Sequence, residues 1–307
     1  MTRPVTIACC QYPIEPVGSL TAWKAKLDQL IAAAVADEAR LCLFPEYAAM
    51  ELTSALPGGH QDVSALDAAA TRTALAAQLI ALQALVADAH DALSTLARRH
   101  RVWLVGPSLP VAVGDGYCNR ATIVAPTGDA TFVEKQQMTR FERELWGVSS
   151  GQRQVVVEAE FGRFAVAICY DAEFPLVGRR LAEAGAEMLL VPSCTDALTG
   201  YHRVRVGCAA RALENQMIVA SAPTVGRANW SLAIDCNVGA AHVFGPPDRG
   251  FPNDGAIATG QLDRPGWLTS TVDLDQVDRV RRGGEVLGFR DWNASAPPND
   301  SPVAHWP

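Results

Sequence analysis

Short apolar runs alternate with helix-like segments along most of the chain, and this alternation restricts the fold more than any other feature. The runs at residues 164–169 (FAVAIC) and 187–191 (EMLLV) are apolar enough to be strands buried on both faces of a sheet. Residues 19–37 have the composition of a helix, and Ser19 is a suitable N-cap residue. Strands that alternate with helices predict the α/β class, in which helices cover a sheet.

The remaining elements follow the same pattern. The other predicted strands cover residues 4–11, 40–44, 101–105, 119–125, 131–134 and 154–158, and the other predicted helices cover residues 67–99, 176–184 and 199–216. From Asn237 onward the sequence is rich in Gly and Pro, with short strands and a loose end. Because neither an internal repeat nor a linker divides the chain, we expect one domain over residues 1–285 and a C-terminal tail over residues 286–307.

Charge and hydrophobic content exclude several classes of protein. The 307 residues include 33 Asp and Glu against 26 Lys and Arg, a net charge of −7, and 49% of them are hydrophobic. An acidic chain lacks the basic surface that binds nucleic acids, and this hydrophobic content suits a folded core rather than a disordered chain. The longest uncharged stretch of the helical region, residues 73–87, is shorter than the roughly 20 apolar residues that span a bilayer. We therefore expect a globular protein without nucleic-acid or membrane partners.

Eight cysteines are scattered along the chain and no two form a C-x-x-C pair, so the spacing of zinc ligands is absent. Several of them lie within apolar runs, which suits small buried thiols in a reducing compartment. We therefore expect a cytoplasmic protein that binds no structural metal.

Three polar residues each follow an apolar, strand-like run: Glu46 after LCLF and a proline, Lys135 after TFVE, and Cys169 after FAVAI. Residues just beyond strand ends converge on one rim of an α/β sheet, where ligands bind. A carboxylate can accept the thiol proton, an ammonium can favour the thiolate and bind an oxyanion, and the thiolate can attack a carbonyl. Together they suit acyl transfer through a thioester, although each alone is also typical of a surface charge or a buried thiol.

Four short segments, in order along the chain, resemble the nitrilase superfamily of carbon–nitrogen hydrolases. They are Phe44-Pro45-Glu46, Glu134-Lys135, Cys169-Tyr170-Asp171-Ala172-Glu173-Phe174-Pro175 and Arg211-Ala212-Leu213-Glu214-Asn215-Gln216, and the correspondence runs from about residue 4 to about residue 275. The resemblance implies a four-layer α-β-β-α sandwich, commonly a homodimer, with a Glu-Lys-Cys triad and neither a metal nor an organic cofactor.

The same resemblance implies a role for each residue of the triad. Glu46 is the general base, Lys135 stabilises the oxyanion, Cys169 is the nucleophile, and the backbone N–H of Tyr170 is a second oxyanion donor. This is physically reasonable, because a sharp turn after an interior strand presents the thiol and the next amide together.

Many members of the superfamily place a second glutamate near the triad, and residues 141–146 (FERELW) contain two candidates. The distance to the following glycine, which is usual in the superfamily, favours Glu144. The distance from Lys135 leaves Glu142 as the alternative. We expect whichever glutamate lies outside the site to pair with a neighbouring arginine.

The segment after the nucleophile indicates the reaction. Cys169-Tyr170-Asp171 is similar to the amidase, omega-amidase and carbamoyl-hydrolase branches, whereas true nitrilases typically show Cys-Trp-Glu. We therefore expect hydrolysis of a small amide. Nitrile hydrolysis, acyl transfer to an amine or lipid, and a catalytically silent binding protein are the alternatives.

Weaker candidates for substrate binding lie beside these segments. Ser193, Cys194 and Thr195 follow an interior strand and either line the pocket or form a helix-capping turn. Arg140 either binds a substrate carboxylate through both guanidinium nitrogens or pairs with a nearby acid. Cys194-Thr195 departs from the usual pattern of the superfamily, so the identity of the substrate stays open.

Overall fold

The structure is a computed structural model that describes residues 2–57, 59, 68–231 and 233–292. Its strands are β1 (Pro4–Pro13), β2 (Leu41–Leu43), β3 (Trp103–Val105), β4 (Leu109–Val113), β5 (Gly116–Val124), β6 (Ala130–Glu134), β7 (Val156–Ala159), β8 (Gly162–Val166), β9 (Met188–Ser193), β10 (Ile218–Arg227), β11 (Cys236–Asn237), β12 (His242–Phe244), β13 (Ala256–Thr259) and β14 (Gly266–Asp273). Its helices are α1 (Leu20–Ala36), α2 (Ala68–His100), α3 (Arg140–Glu144), α4 (Pro175–Glu183), α5 (Leu198–Asn215), α6 (Leu274–Gly283) and α7 (Gly288–Asp291). Two 3-10 segments, Ala48–Ala55 and Cys169–Glu173, follow β2 and β8.

The strands form two halves of one extended sheet. The first half has the order β4-β5-β3-β2-β1, with β6 on β5 and β14 on β1. The second half has the order β10-β9-β8-β7, with β11 and β12 on β10 and β13 on β12. The halves join where β1 runs parallel to β10, with Tyr12 opposite Thr224 and Pro13 opposite Val225.

Alternate residues of β1 face two different cores, as the two-residue period of a strand requires. Ile7 and Cys9 belong to a cluster that also contains buried residues of β8, β9, α4 and α5. Ala8 and Cys10 belong to a second cluster with Trp23 of α1 and the leucines of α2. Helices therefore cover the outer side of each half, and the two halves pack between them. This layering confirms the predicted α-β-β-α sandwich.

Several predicted elements have different limits in the structure, and the sequence analysis misses others. The Ser19 side chain caps α1 as predicted, accepting a hydrogen bond from the N–H of Ala22 at 3.1 Å. Strand β8 ends at Val166, and Cys169 begins a 3-10 segment instead of ending the strand. The sequence analysis does not predict strand β10, because a serine and a proline interrupt its apolar pattern. Strand β4 is not predicted either. Helix α6 is not predicted because its ten residues lie in a Gly- and Pro-rich region.

Part of the predicted C-terminal tail packs against the domain. Phe289 of α7 lies under the guanidinium groups of Arg179 and Arg281, which are 4.7 and 4.2 Å from its ring centroid. The rest of the predicted tail, residues 293–307, lies outside the described residues.

Helix α2 is, within the described ranges, the element long and apolar enough to cross a membrane, with a mean hydropathy of 1.3 in its most apolar window. Only 17% of that window is buried. The leucines of one side, Leu75, Leu79 and Leu82, pack into the core over the first half of the sheet. The helix is therefore the outer layer that the sequence predicts for residues 67–99.

Candidate active site

The three residues of the predicted triad come from both halves of the sheet. Glu46 follows β2 and Lys135 follows β6 in the first half, whereas Cys169 follows β8 in the second. All three side chains are buried, with residue exposures of 1%, 1% and 4%. The structure therefore brings the triad together at one end of the boundary between the two halves.

The Lys135 ammonium lies between two carboxylates. Its Nζ donates to Glu46 Oε1 at 2.8 Å and to both Glu142 oxygens at 2.8 and 2.7 Å. Burial alone lowers the pKa of Lys135, but the neighbouring carboxylates outweigh it and hold the pKa well above its ordinary value. The lysine is consequently a fixed cation beside the thiol.

Glu142, and not Glu144, is the second glutamate at this site, so the prediction that favours Glu144 is wrong. Glu142 is buried, and its carboxylate also accepts hydrogen bonds from the Tyr47 hydroxyl at 2.7 Å and from the Thr139 backbone N–H at 2.9 Å. Glu144 is exposed and pairs with Arg140 at 2.9 Å. The physical reason is the 100° turn per helical residue, which directs two side chains of α3 that are two residues apart to different sides. The acid pairing predicted for Arg140 is thereby present.

Glu46 is the carboxyl group between the ammonium and the thiol. Burial raises its pKa to about 7, against the opposing effect of Lys135. Its Oε1 also accepts a hydrogen bond from Asn119 Nδ2 at 2.8 Å, and its Oε2 accepts one from the Cys194 N–H at 3.1 Å. A carboxyl group with a pKa near neutrality can both take and return a proton under physiological conditions.

Cys169, the predicted nucleophile, has an unusual backbone conformation. Cys169 has φ +49°, in the left-handed region that non-glycine residues seldom occupy. Burial and the Glu46 carboxylate raise the pKa of its thiol well above the ordinary value, although Lys135 acts in the opposite direction. The Lys135 ammonium lowers the pKa of the thiol, as the sequence analysis expects, but burial and Glu46 outweigh it. The Cys169 thiol donates to the Cys194 backbone O at 3.8 Å.

The thiol opens onto a cavity of about 610 Å³. Its apolar lining includes Tyr47, Met138, Phe141, Trp146, Tyr170 and Val204. Exposed charges of both signs lie along its outer part, namely Arg140, Arg143, Arg203, Asp196 and Asp235. A cavity of this size falls within the range of small-molecule binding sites.

The weaker candidates divide between the cavity and the scaffold. Cys194 and Thr195 line the cavity, and the Thr195 hydroxyl donates to Val238 O at 2.6 Å. Ser193 is buried, and its hydroxyl donates to Ala222 O at 3.3 Å within the sheet, so its predicted place in the pocket is wrong.

Two further candidates, Arg140 and Tyr170, line the same cavity. Arg140 lies at the outer edge with its guanidinium already paired to Glu144. Tyr170 lines the cavity next to the nucleophile.

Sequence reasoning misses two residues of this site. Tyr47 directly follows Glu46, and its ring packs edge-on against Trp146 with centroids 4.9 Å apart. Asn119 lies within β5, where nothing in the local sequence marks it, and its backbone O accepts the Lys135 N–H at 2.9 Å. Of the two, only Tyr47 could be found from the sequence, because it directly follows a predicted catalytic residue.

No group of three or more His, Cys, Asp or Glu side chains among the described residues could hold a metal ion. The arrangement consists of a buried thiol whose pKa is raised, a carboxyl group whose pKa is raised to about 7, and a cation held by a second carboxylate. Such a set can deprotonate a nucleophile, stabilise negative charge on an oxygen and protonate a leaving group.

Comparisons with known proteins show the family of the chain. Residues 6–276 match the carbon–nitrogen hydrolase family. The chain is 28% identical to probable hydrolase YhcX of Bacillus subtilis over 94% of its own length, but it spans only 53% of that relative. It is 28% identical to a deaminated glutathione amidase of Synechocystis over 64% of this chain and 74% of the relative.

Among solved structures, a carbon–nitrogen hydrolase from Helicobacter pylori superimposes with a TM-score of 0.71 at 16% identity, covering 91% of this chain and 92% of that one. This likeness shows the shared fold. The match to the family model covers most of the chain, including all three residues of the triad. The chain therefore belongs to the carbon–nitrogen hydrolase family.

Proposed function

We propose that this protein hydrolyses the C–N bond of a small amide through a thioester on Cys169, releasing ammonia or an amine. The observation that carries the proposal is the buried Lys135 ammonium, fixed between Glu46 and Glu142 beside the thiol. The family match and the amidase name of the Synechocystis relative support amide hydrolysis in general.

The first half of the reaction forms the thioester. Glu46 accepts the thiol proton as Sγ of Cys169 bonds to the carbonyl carbon, and the electron pair of the C=O bond moves to oxygen. Lys135 and the backbone N–H of Tyr170 stabilise that oxyanion. When the C=O bond re-forms, the C–N bond breaks, and Glu46 returns the proton to the departing nitrogen.

The second half releases the acid. Glu46 accepts a proton from water as the water oxygen attacks the thioester carbon, and the C–S bond then breaks. The sulfur recovers a proton and a carboxylic acid leaves. Glu142 does not change its protonation in this cycle, because its role is to keep Lys135 charged and in place.

Three alternatives use the same site differently. A nitrilase would attack a nitrile carbon with the same thiol, an acyltransferase would pass the acyl group to an amine or lipid in place of water, and a binding protein would do neither. The residues Tyr170 and Asp171 after the nucleophile favour the amide, and an intact Glu46, Lys135 and Cys169 argue against a silent protein.

The test is ammonia release from a panel of simple amides, ω-amides of α-keto acids, carbamoyl compounds and nitriles. We expect release from one class, lost in Cys169→Ala and retained in Cys118→Ala, which alters a buried cysteine outside the cavity. Mass spectrometry and thermal unfolding would verify that both variants are intact. Release from nitriles alone, or full turnover by Cys169→Ala, would contradict the proposal.

We further propose a cytoplasmic location. All eight cysteines are free, and six of them are buried. Free thiols in this number persist in a reducing compartment, whereas secreted proteins form disulfides. Cell fractionation would test the location, and recovery of the protein outside the cytoplasm would contradict it.

A further inference from the structure

Asp171 is a buried carboxylate that the reaction above does not use. It lies two residues after the nucleophile in the 3-10 segment Cys169–Glu173, and it is fully buried. Burial raises its pKa to about 6, against the opposing effects of backbone N–H donors and Lys135. The group is therefore mostly ionised at neutral pH, and a buried charge of this kind needs specific partners.

Its partners are the two amides that follow the catalytic lysine. The Asp171 carboxylate accepts the Gln136 N–H at 3.1 Å and the Gln137 N–H at 2.7 Å. The backbone of Asp171 belongs to the nucleophile turn, since its N–H donates to Ile168 O at 3.0 Å. One residue thus joins the turn that holds Cys169 to the segment that begins at Lys135.

This connection spans the two halves of the sheet. Strand β6, before Lys135, pairs with β5 in the first half, and β8, before Cys169, pairs with β7 and β9 in the second. No strand pairing among the described residues links β6 to β8 directly. The distance between the ammonium and the thiol therefore depends on bonds that cross this boundary, such as those of Asp171.

We propose that Asp171 is a positioning residue, whose carboxylate fastens the backbone after Lys135 to the turn of Cys169 and so sets the placement of the ammonium beside the thiol. This inference rests on the proposed function, because Lys135 and Cys169 act together only in that chemistry. A shift of about 1 Å between reacting groups can cost about 100-fold in rate.

The test is Asp171→Asn, which keeps one acceptor oxygen for the Gln137 N–H and removes the charge. Two rates are measured: kcat on the amide that the wild type hydrolyses, and alkylation of Cys169 by iodoacetamide as a function of pH. We expect both rates to fall about tenfold or more and KM to change less than about threefold. Asp171→Ala should lower both rates further. If that variant fails to fold, the result for Asp171→Asn still tests the inference.

The direction of the alkylation change separates positioning from charge alone. Removal of a negative charge near the thiol favours the thiolate and speeds alkylation, whereas displacement of the ammonium slows it. The matched control is Asp248→Asn, because Asp248 is also buried and accepts two backbone N–H groups, from Arg249 at 2.7 Å and Glu285 at 2.9 Å, away from the cavity. A purely structural role would lower the melting temperature of both variants and leave both rates per folded molecule unchanged.

Unchanged or faster alkylation in Asp171→Asn, or a rate loss equal to that of the control, would overturn the inference. Because alkylation needs no amide, slower alkylation in a protein that hydrolyses no amide would uphold the positioning role and reject the proposed function instead.

Discussion

At the scale of single residues, the site depends on charges that are buried and mutually compensated. Glu46, Lys135 and Glu142 are almost fully buried, and each carboxylate contacts the ammonium. A buried ion that loses its partner is destabilising by about 3–5 kcal/mol, so these groups are expected to respond as a unit.

Glu142→Gln is expected to lower kcat by about 100-fold or more, because Lys135 loses one of its two carboxylates and its placement beside the thiol. KM should change much less, since the contact matters most when charge develops on the oxyanion. Steady-state kinetics would check this, with circular dichroism to verify folding.

The matched control is Glu144→Gln, two residues away on the same helix but exposed. It should keep full activity and the melting temperature of the wild type, because the side chain is exposed. If Glu144→Gln lost activity while Glu142→Gln retained it, the assignment of the second glutamate would be reversed.

The pH dependence of kcat/KM should reflect Glu46, whose pKa is raised to about 7 by burial. The base must be ionised to accept the thiol proton, so kcat/KM rises as pH increases through about 7 and then levels off. The thiol does not limit this side of the profile, because its pKa is raised well above its ordinary value. An acid limb centred near the ordinary glutamate pKa of about 4.3 would contradict the raised pKa of Glu46.

At the scale of elements, the nucleophile turn depends on the helix packed against it. Gly207 of α5 faces the Cys169–Glu173 segment so closely that a Cβ atom would lie 2.9 Å from Ala172 O. The two elements are therefore in close contact, and Cys169 begins the segment in a left-handed conformation.

Gly207→Ala is therefore expected to destabilise the protein by about 1–3 kcal/mol through overpacking and to lower kcat by displacing the nucleophile. Urea denaturation and kinetics would measure the two effects. Gly283→Ala is the matched control, because nothing lies within 4 Å of the added atom at the end of α6, and it should be neutral or slightly stabilising. Equal effects of the two substitutions would show that the contact with Ala172 is unimportant.

At the scale of the whole molecule, large apolar side chains remain exposed on the helices after the nucleophile. They are Leu176 on α4 and Leu198, Val206 and Leu213 on α5. Exposed apolar groups concentrated on one face are typical of an interface, and a two-fold dimer would bury the same face on both copies. This supports the prediction of a homodimer.

Light scattering at working concentration should give a dimer mass, and Val206→Glu should shift the protein towards the monomer. Ile80→Glu is the matched control, because Ile80 is similarly exposed but lies on α2, which covers the first half of the sheet. A monomeric wild type, or a dimer unaffected by Val206→Glu, would contradict a dimer formed through α5.

The sequence by itself determined the α/β class, most of the helices and strands, and the candidates Glu46, Lys135 and Cys169. Local periodicity indicates whether an element is a helix or a strand, and the sequence directly gives the polar residues that follow each predicted strand. The same local signals could not reveal that strand β8 ends at Val166 or that the Gly- and Pro-rich region contains helix α6.

Only the tertiary structure decided which residues surround the triad. Two glutamates on one short helix have similar spacing from Lys135, and the choice of Glu142 depends on which side of α3 packs inward. Asn119 reaches Glu46 across 73 positions, and Asp171 reaches Gln136 across 35. The first contact needs β2 and β5 to pair on either side of β3, and the second needs the two halves of the sheet to pack together. Both depend on distances in space that no local pattern encodes.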